Sequence, residues 1–316
     1  MAELRWHPLI KDWIMIASHR QDRPQMPKNW CPFCPGSGNV PDDFTVLKYN
    51  NDFPALSQNP PEPDDVSTAL YQTAPAYGKC EVILYSKEHT VTLPELPVPH
   101  IKQLVDLWSE RFSDIKKDEN IKYIFIFENR GEAVGVTMPH PHGQIYGYSV
   151  IPKKIELELA SCKEHFEETH KCLICDMNEN EIAFKQRIIF ENDDFIVYLP
   201  FFTEYPYGVY IVSKAHKQDI TQFSDSERTN LAAAIKNTVG MFDSLFDTQF
   251  PYMMCMHQSP VNSGDTSDYY HFHIEFFPPM RAGDKIKFNA SSETGVWAHC
   301  NPTAPEEKAV ELRAAY

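Results

Sequence analysis

Pro139-His140-Pro141-His142-Gly143-Gln144 is the stretch on which this chain's reading turns. Two histidines sit two apart, and a carboxamide follows two further on. In an extended segment alternate side chains share one face, so His140, His142 and Gln144 line up together. Such a face can ligate a metal, attack an electrophile and hold an anion. The competing reading is a solvated His-rich loop. The upstream run Tyr123-Ile124-Phe125-Ile126-Phe127 weakens it, because an apolar and aromatic run of that length predicts a buried strand.

The surrounding composition narrows the setting. The 316 residues are 42% hydrophobic and 13% aromatic, enough to bury a sizeable core. Formal charge is −15 and no Lys/Arg block occurs, which argues against nucleic acid as a partner. No apolar run approaches membrane-span length, and Met1-Ala2-Glu3-Leu4-Arg5-Trp6 does not open like a signal peptide. The expectation is a cytoplasmic chain that makes no contact with membrane.

Four of the eight cysteines form two Cys-x-x-Cys pairs, Cys31/Cys34 and Cys172/Cys175. In a reducing compartment such pairs bind metal or do redox work more often than they form disulfides. Cys80, Cys162, Cys255 and Cys300 have no evident partner and read as small buried hydrophobes.

The chain is written twice. Cys31-Pro32-Phe33-Cys34, Asn51-Asp52-Phe53, Ser86-Lys87-Glu88-His89 and His140-Pro141-His142-Gly143-Gln144 recur in order. Their echoes are Cys172-Leu173-Ile174-Cys175, Asp193-Asp194-Phe195, Ser213-Lys214-Ala215-His216 and His271-Phe272-His273-Ile274-Glu275. Four elements in one order predict a duplicated unit, residues 1–155 and 156–316. Each half has strands at 81–85 or 207–212 leading into Ser-Lys-x-His. A helix follows, at 100–116 or 224–246, and then a strand carries His-x-His. That pattern predicts an α+β fold of two mostly antiparallel sheets flanked by helices, the sheets facing or abutting each other.

Cys31, Cys34, His89 and His140 make a Cys2His2 set. Thiolate and imidazole are preferred zinc ligands, and four of them leave no open position, so a structural zinc is expected. The same set recurs as Cys172, Cys175, His216 and His271, which predicts a second zinc. A rival for the second half is Glu158, His257, His273 and Glu275, a carboxylate–imidazole cluster suited to zinc or iron. The Cys2His2 reading ranks first.

If His140 ligates metal, His142 becomes the candidate nucleophile. A neutral imidazole attacks phosphorus well when one ring nitrogen is held as a donor. Gln144 can donate to a phosphoryl oxygen but cannot serve as an acid. An amine or alcohol leaving group would need one. A phosphate leaving group, with a second pKa of about 6, would not. Arg20 and Arg23 sit three apart and suit bidentate contact with phosphate oxygens. Asn51 and Asp52 are candidates for a base or ribose, although Asn-Asp is also a common turn.

These residues resemble the galactose-1-phosphate uridylyltransferase family of the histidine-triad superfamily. The likeness runs from Arg20-Gln21-Asp22-Arg23-Pro24 to Lys287-Phe288. It includes Cys31 to Cys34, Asn51 to Phe53, His89 to Leu96, Phe127-Glu128-Asn129-Arg130-Gly131 and His140 to Gln144. The resemblance implies ping-pong exchange of uridylyl between UDP-glucose, a UDP-hexose, and galactose 1-phosphate, a hexose 1-phosphate. It makes His142 the uridylylated residue and Gln144 a phosphate ligand. Arg20, Arg23, Asn129 and Thr137 would contact phosphates or ribose, and Asn51 and Asp52 the nucleoside. Lys287 and Glu293 would reach the hexose from a neighbouring subunit of a homodimer. Some members carry an iron-type site of one Glu and three His in the second half. Here Glu158, His257 and His273 match three of those, with Glu275 at the fourth position. A related branch transfers adenylyl from ADP-glucose with phosphate as acceptor. That branch, a triad-type nucleotide hydrolase and a zinc-stabilised binding protein are the alternatives.

Overall fold

A computed structural model describes residues 2–22 and 30–316, with the side chains of residues 19 and 22 outside that description. In chain order the elements begin with β1 (Ala2–His7), β2 (Asp12–Ala17), β3 (Leu47–Asn50), β4 (Thr73–Pro75) and β5 (Gly78–Leu84). Helix α1 (Val98–Ile115), β6 (Tyr123–Arg130) and β7 (His142–Tyr148) complete the first half. Then come α2 (Lys153–Thr169), α3 (Leu173–Phe184), β8 (Ile188–Glu191), β9 (Phe195–Tyr198) and β10 (Tyr210–Ser213). Helix α4 (Asp225–Leu245), β11 (Tyr252–His257) and β12 (His273–Phe277) follow. The chain closes with β13 (Met280–Ala282), β14 (Lys285–Ile286), α5 (Ser291–Val296) and α6 (Pro305–Ala315).

Nine strands form one sheet in the order β3-β5-β7-β6-β11-β12-β10-β9-β8. Of the two arrangements expected from the sequence, sheets facing or sheets abutting, the halves take the second. They fuse edge to edge. β6 pairs antiparallel with β11, Phe127 opposite Cys255 and Glu128 opposite Met254. The order β3-β5-β7-β6 repeats as β9-β10-β12-β11, so the join lies between equivalent strands. Antiparallel pairing of equivalent edges is what two-fold related copies produce.

The predicted strand at 123–127 is β6, and its alternation sorts the faces. Ile124 and Ile126 are buried in the main core. Phe125 and Phe127 lie on the opposite face, stacked at 4.9 Å between ring centroids. Helices α1 and α4 cover the core face. α1 buries Ile101, Leu104, Val105, Trp108, Phe112 and Ile115, the three- and four-residue spacing of one helical stripe. It begins two residues earlier than expected, because Pro99 is well suited to a first turn that lacks internal N–H partners. α4 begins and ends as expected, with Ser224 and Phe246 as its caps. Ser224 Oγ accepts from the Glu227 amide, and the Glu227 carboxylate accepts from the Ser224 amide at 2.7 Å.

A three-stranded sheet, β2-β1-β4, covers part of the outer face over Cys80 and Tyr146. Helix α2 is tied to β11 and β12 through Glu158 and Lys154, which contact His257 and Glu275. No helix among the described residues is long and apolar enough to cross a membrane.

Candidate active site

Strand β7 carries the His-x-Gln pair, and the loop before it carries His140. The imidazole of His140 is 1% exposed. Its Nδ1 lies 3.8 Å from Cys31 Sγ and 3.7 Å from Cys34 Sγ, and Cys34 Sγ lies 3.3 Å from His89 Nδ1. Zinc bonds of about 2.3 Å to sulfur and 2.0–2.1 Å to nitrogen give a tetrahedral edge of roughly 3.6 Å, so these separations fit one ion. The chemistry of the set agrees. Burial and the adjacent Cys31 push the Cys34 thiol up to about 11, a penalty that a cation between the two sulfurs reverses. Burial pushes His140 down to about 4, which keeps it a neutral ligand. Its Nε2–H donates to Ser86 O at 2.8 Å, fixing the ring with Nδ1 toward the thiols.

The second half repeats this arrangement. Cys172 Sγ lies 3.8 Å from His271 Nδ1, and Cys175 Sγ lies 3.3 Å from His271 Nδ1 and 3.6 Å from His216 Nδ1. His271 Nε2 meets Ser213 O at 3.0 Å and Ser213 Oγ at 2.8 Å. Ser86 and Ser213 open the two Ser-Lys-x-His motifs, and both orient the first His of His-x-His. Sequence reasoning took the His of that motif as a ligand but gave its Ser no role beyond marking the repeat. The two Cys/His clusters are consistent with metal sites.

The carboxylate–imidazole group is a third cluster, not a rival for the same histidine. His271 belongs to the Cys2His2 set, while Glu158, His257, His273 and Glu275 gather beside β11 and β12. The expectation that one reading would displace the other is corrected: both groups coexist, because His271 precedes the strand and His273 opens it.

His142 Nδ1 lies 2.8 Å from His140 O. A carbonyl can only accept, so Nδ1 carries the proton and Nε2 carries the lone pair. His142 lines a cleft of about 390 Å3 together with Asn129 and Thr137. Glu128 lies at the edge of the cleft, and burial pushes its carboxyl up to about 7. Gln144 Oε1 accepts from Tyr146 OH at 3.1 Å, which turns its NH2 outward as a donor. The Arg20 guanidinium acts on the same Tyr146 phenol, lowering a pKa that burial raises.

Other expected residues sit apart. Asn51 Oδ1 accepts from the Phe53 amide at 2.9 Å, and Asp52 accepts from Tyr49 OH at 3.0 and 3.1 Å. They connect to His142 through rings: Tyr49 packs on Phe33 at 5.2 Å, and Phe33 on His142 at 6.1 Å. Sequence reasoning missed Phe33, Tyr49 and Tyr146. Phe33 alone had a marker, its place inside Cys-x-x-Cys. Lys287 and Glu293 face each other at 3.9 Å and do not line the His142 cleft. Arg23 lies outside the described residues.

A duplicated antiparallel unit that presents His-x-His-x-Gln beside a Cys2His2 cluster defines a histidine-triad type of protein. The family model described as "Galactose-1-phosphate uridyl transferase, N-terminal domain" matches residues 1–152, and its C-terminal counterpart matches residues 158–287. The chain belongs to the galactose-1-phosphate uridylyltransferase family. It is 40% identical to the galactose-1-phosphate uridylyltransferase of Thermotoga maritima, covering 99% of this chain and 98% of that protein. A solved uridylyltransferase structure superposes with a TM-score of 0.92 at 33% identity, covering 99% of this chain and 98% of the other. An ADP-glucose phosphorylase from Arabidopsis thaliana, solved with ADP-glucose bound, shares the fold. Its TM-score is 0.75 at 24% identity, covering 99% of each chain.

Proposed function

We propose that this chain transfers uridylyl between UDP-glucose and galactose 1-phosphate by way of a uridylylated His142. The observation that carries the reading is the bond from His142 Nδ1 to His140 O, which leaves the lone pair on Nε2. Nε2 attacks the α-phosphorus of UDP-glucose, and the bond from phosphorus to the glucose 1-phosphate oxygen breaks. The electron pair leaves with glucose 1-phosphate, which needs no proton near neutrality. The Nδ1 proton stays on the imidazole, held by the His140 carbonyl. Galactose 1-phosphate then attacks the same phosphorus, Nε2 departs with its electron pair, and UDP-galactose forms.

Gln144 and Arg20 stabilise the phosphoryl oxygens, and Asn129 and Thr137 contact phosphate or ribose from the cleft wall. Arg23 is read as the second phosphate clamp. Asn51 and Asp52 hold the nucleoside, with Phe33 and Tyr49 between them and His142. Zinc is the reading for Cys31, Cys34, His89 and His140 and for Cys172, Cys175, His216 and His271. Its chemistry there is to clamp four side chains. The strand carrying His142 begins two residues after His140, so that clamp fixes the nucleophile's register.

The chain is read as two halves, 1–155 and 156–316, and as a homodimer. Lys287 and Glu293 are read as reaching the hexose in the site of a second copy, and neither lines this chain's own His142 cleft. Strand β2 offers an apolar edge, with Ile14, Met15 and Ile16 exposed. The setting is read as cytoplasmic, a reducing compartment in which Cys31, Cys34, Cys172 and Cys175 stay available as metal ligands.

The test is incubation with UDP-glucose labelled in the uridylyl group, without acceptor. A covalent uridylyl-protein that galactose 1-phosphate discharges to UDP-galactose is expected. Release of free UMP alone would make the chain a hydrolase. Absence of both would overturn the enzymatic reading.

A further inference from the structure

The family resemblance implies an iron-type site in the second half, and Glu158, His257 and His273 carry three of its positions. The arrangement of these side chains does not fit one. In the Cys2His2 sets the sulfurs and the Nδ1 atoms converge, and only the far ring nitrogens are used by neighbours. In this cluster the oxygen donors are already engaged. Glu158 Oε2 accepts from Tyr270 OH at 2.8 Å and from His257 Nδ1 at 2.9 Å. Glu275 Oε1 accepts from Tyr210 OH at 2.5 Å. Glu275 Oε2 pairs with Lys154 Nζ, also at 2.5 Å, and Lys154 lies 3.9 Å from Glu158 Oε1.

We propose that Lys154 serves as the resident cation of this cluster and closes it to metal. Its ammonium meets Glu275 at 2.5 Å and Glu158 at 3.9 Å, the two carboxylates whose charge a divalent ion would have to use. His257 Nε2 and His273 Nε2 face Glu275 at 3.6 and 3.5 Å, a spacing that would suit ligands of one ion, so what closes the cluster is the ammonium on its carboxylates and not the distances between its side chains. Burial opposes the charge on Glu275, yet His257, His273 and Lys154 hold its carboxyl well below the usual carboxylate range. A buried anion of this kind requires a bonded countercharge, and Lys154 is the ammonium in contact with it.

The arrangement also has a mechanical meaning. A metal here would tie α2 to β11 and β12. Lys154 and Glu158, one turn apart on α2, make the same tie with an ion pair and hydrogen bonds. The chain therefore holds metal at its two Cys2His2 clusters and not at the third.

Co(II) tests this in the zinc-loaded full chain. Excess Co(II) is added, the protein is desalted, and bound cobalt is counted by elemental analysis. The wild type is expected to retain none, and Lys154→Met to retain one per chain. That cobalt should show the weak visible bands of a nitrogen–oxygen site without thiolate charge transfer. Co(II) should raise the melting temperature of Lys154→Met by several degrees and leave the wild type unchanged, because only a species that binds the folded state stabilises it. If the methionine variant does not fold, Lys154→Gln takes its place. One cobalt with a nitrogen–oxygen spectrum on the wild type overturns the proposal, and so does a folded variant that gains none.

Discussion

The phenol oxygen of Tyr85 fills the space that a Cβ on Gly143 would need. Tyr85 is 1% exposed and cannot swing away, and Phe127 O closes the same space at 3.0 Å. Gly143 stands between His142 and Gln144, so any push there moves both of these side chains.

Gly143→Ala is therefore expected to destabilise the chain by about 1–3 kcal/mol, the usual range for overpacking. Transfer should slow at least about tenfold, because a nucleophile displaced by a fraction of an ångström loses its line of attack. Adding Tyr85→Phe should recover part of the stability. Urea denaturation and initial rates measure both, and an alanine variant as stable and active as wild type would refute the packing account.

His142→Gly should abolish transfer, by about a thousandfold or more, while the fold persists. The ring is half-buried, and its Nδ1 bonds to His140 O, a contact within the same strand-entry loop. Circular dichroism and thermal melts check the fold, and labelling with UDP-glucose checks the chemistry. Measurable uridylyl-protein in this variant would move the nucleophile elsewhere.

Gln144→His should raise UMP release relative to transfer several-fold. The amide donates without titrating, whereas an imidazolium can protonate a leaving group or deliver water. The ratio of UMP to UDP-galactose is the readout, and an unchanged ratio counts against the role given to Gln144.

Elemental analysis should find two zinc ions per chain, falling to one in Cys34→Ser. That variant should lose at least about 2 kcal/mol of stability, since ligation free energy is folding free energy. Activity should fall with it, because the His140 clamp sets the strand of His142. A Cys34→Ser protein with full metal content would remove this site.

UDP-glucose should outperform ADP-glucose by about tenfold or more. In the proposed mechanism Arg20, Gln144 and His142 would read phosphates that both donors share, so discrimination would fall to the side of the site formed by Asn51 and Asp52. A polar pocket leaves groups unpaired when the wrong base enters. Asn51→Ala should narrow the gap in matched initial rates. A faster rate from ADP-glucose in the wild type would place the chain with the adenylyl-transferring branch and leave the His142 mechanism standing.

Much of the site was legible because its chemistry is carried by side chains with few alternative fates. Thiols spaced Cys-x-x-Cys with two distant imidazoles have a strong common use, and the repeat doubled the evidence. The structure brings each four together. The capping pair Ser224 and Glu227 likewise marked a helix start from local hydrogen bonding alone. Arg20 and Gln144 were expected to act together, and both meet at Tyr146, a residue with no marker of its own. Phe33 packs on His142 across more than a hundred residues of chain, and an aromatic ring in sequence does not declare its partner.

The sequence by itself determined the duplicated α+β unit, the two Cys2His2 sets and the His142–Gln144 face, because these rest on residue chemistry and on a period of two along a strand. Only the tertiary structure decided that the halves fuse through β6 and β11. Backbone hydrogen bonds make that join, and they carry no side-chain signature to read in advance. It also decided that His271 and His273 serve different clusters, and that Lys154 stands among the carboxylates of the second. Which of several cations approaches a buried carboxylate depends on how a helix lies across a sheet, and that is settled only when the chain has packed.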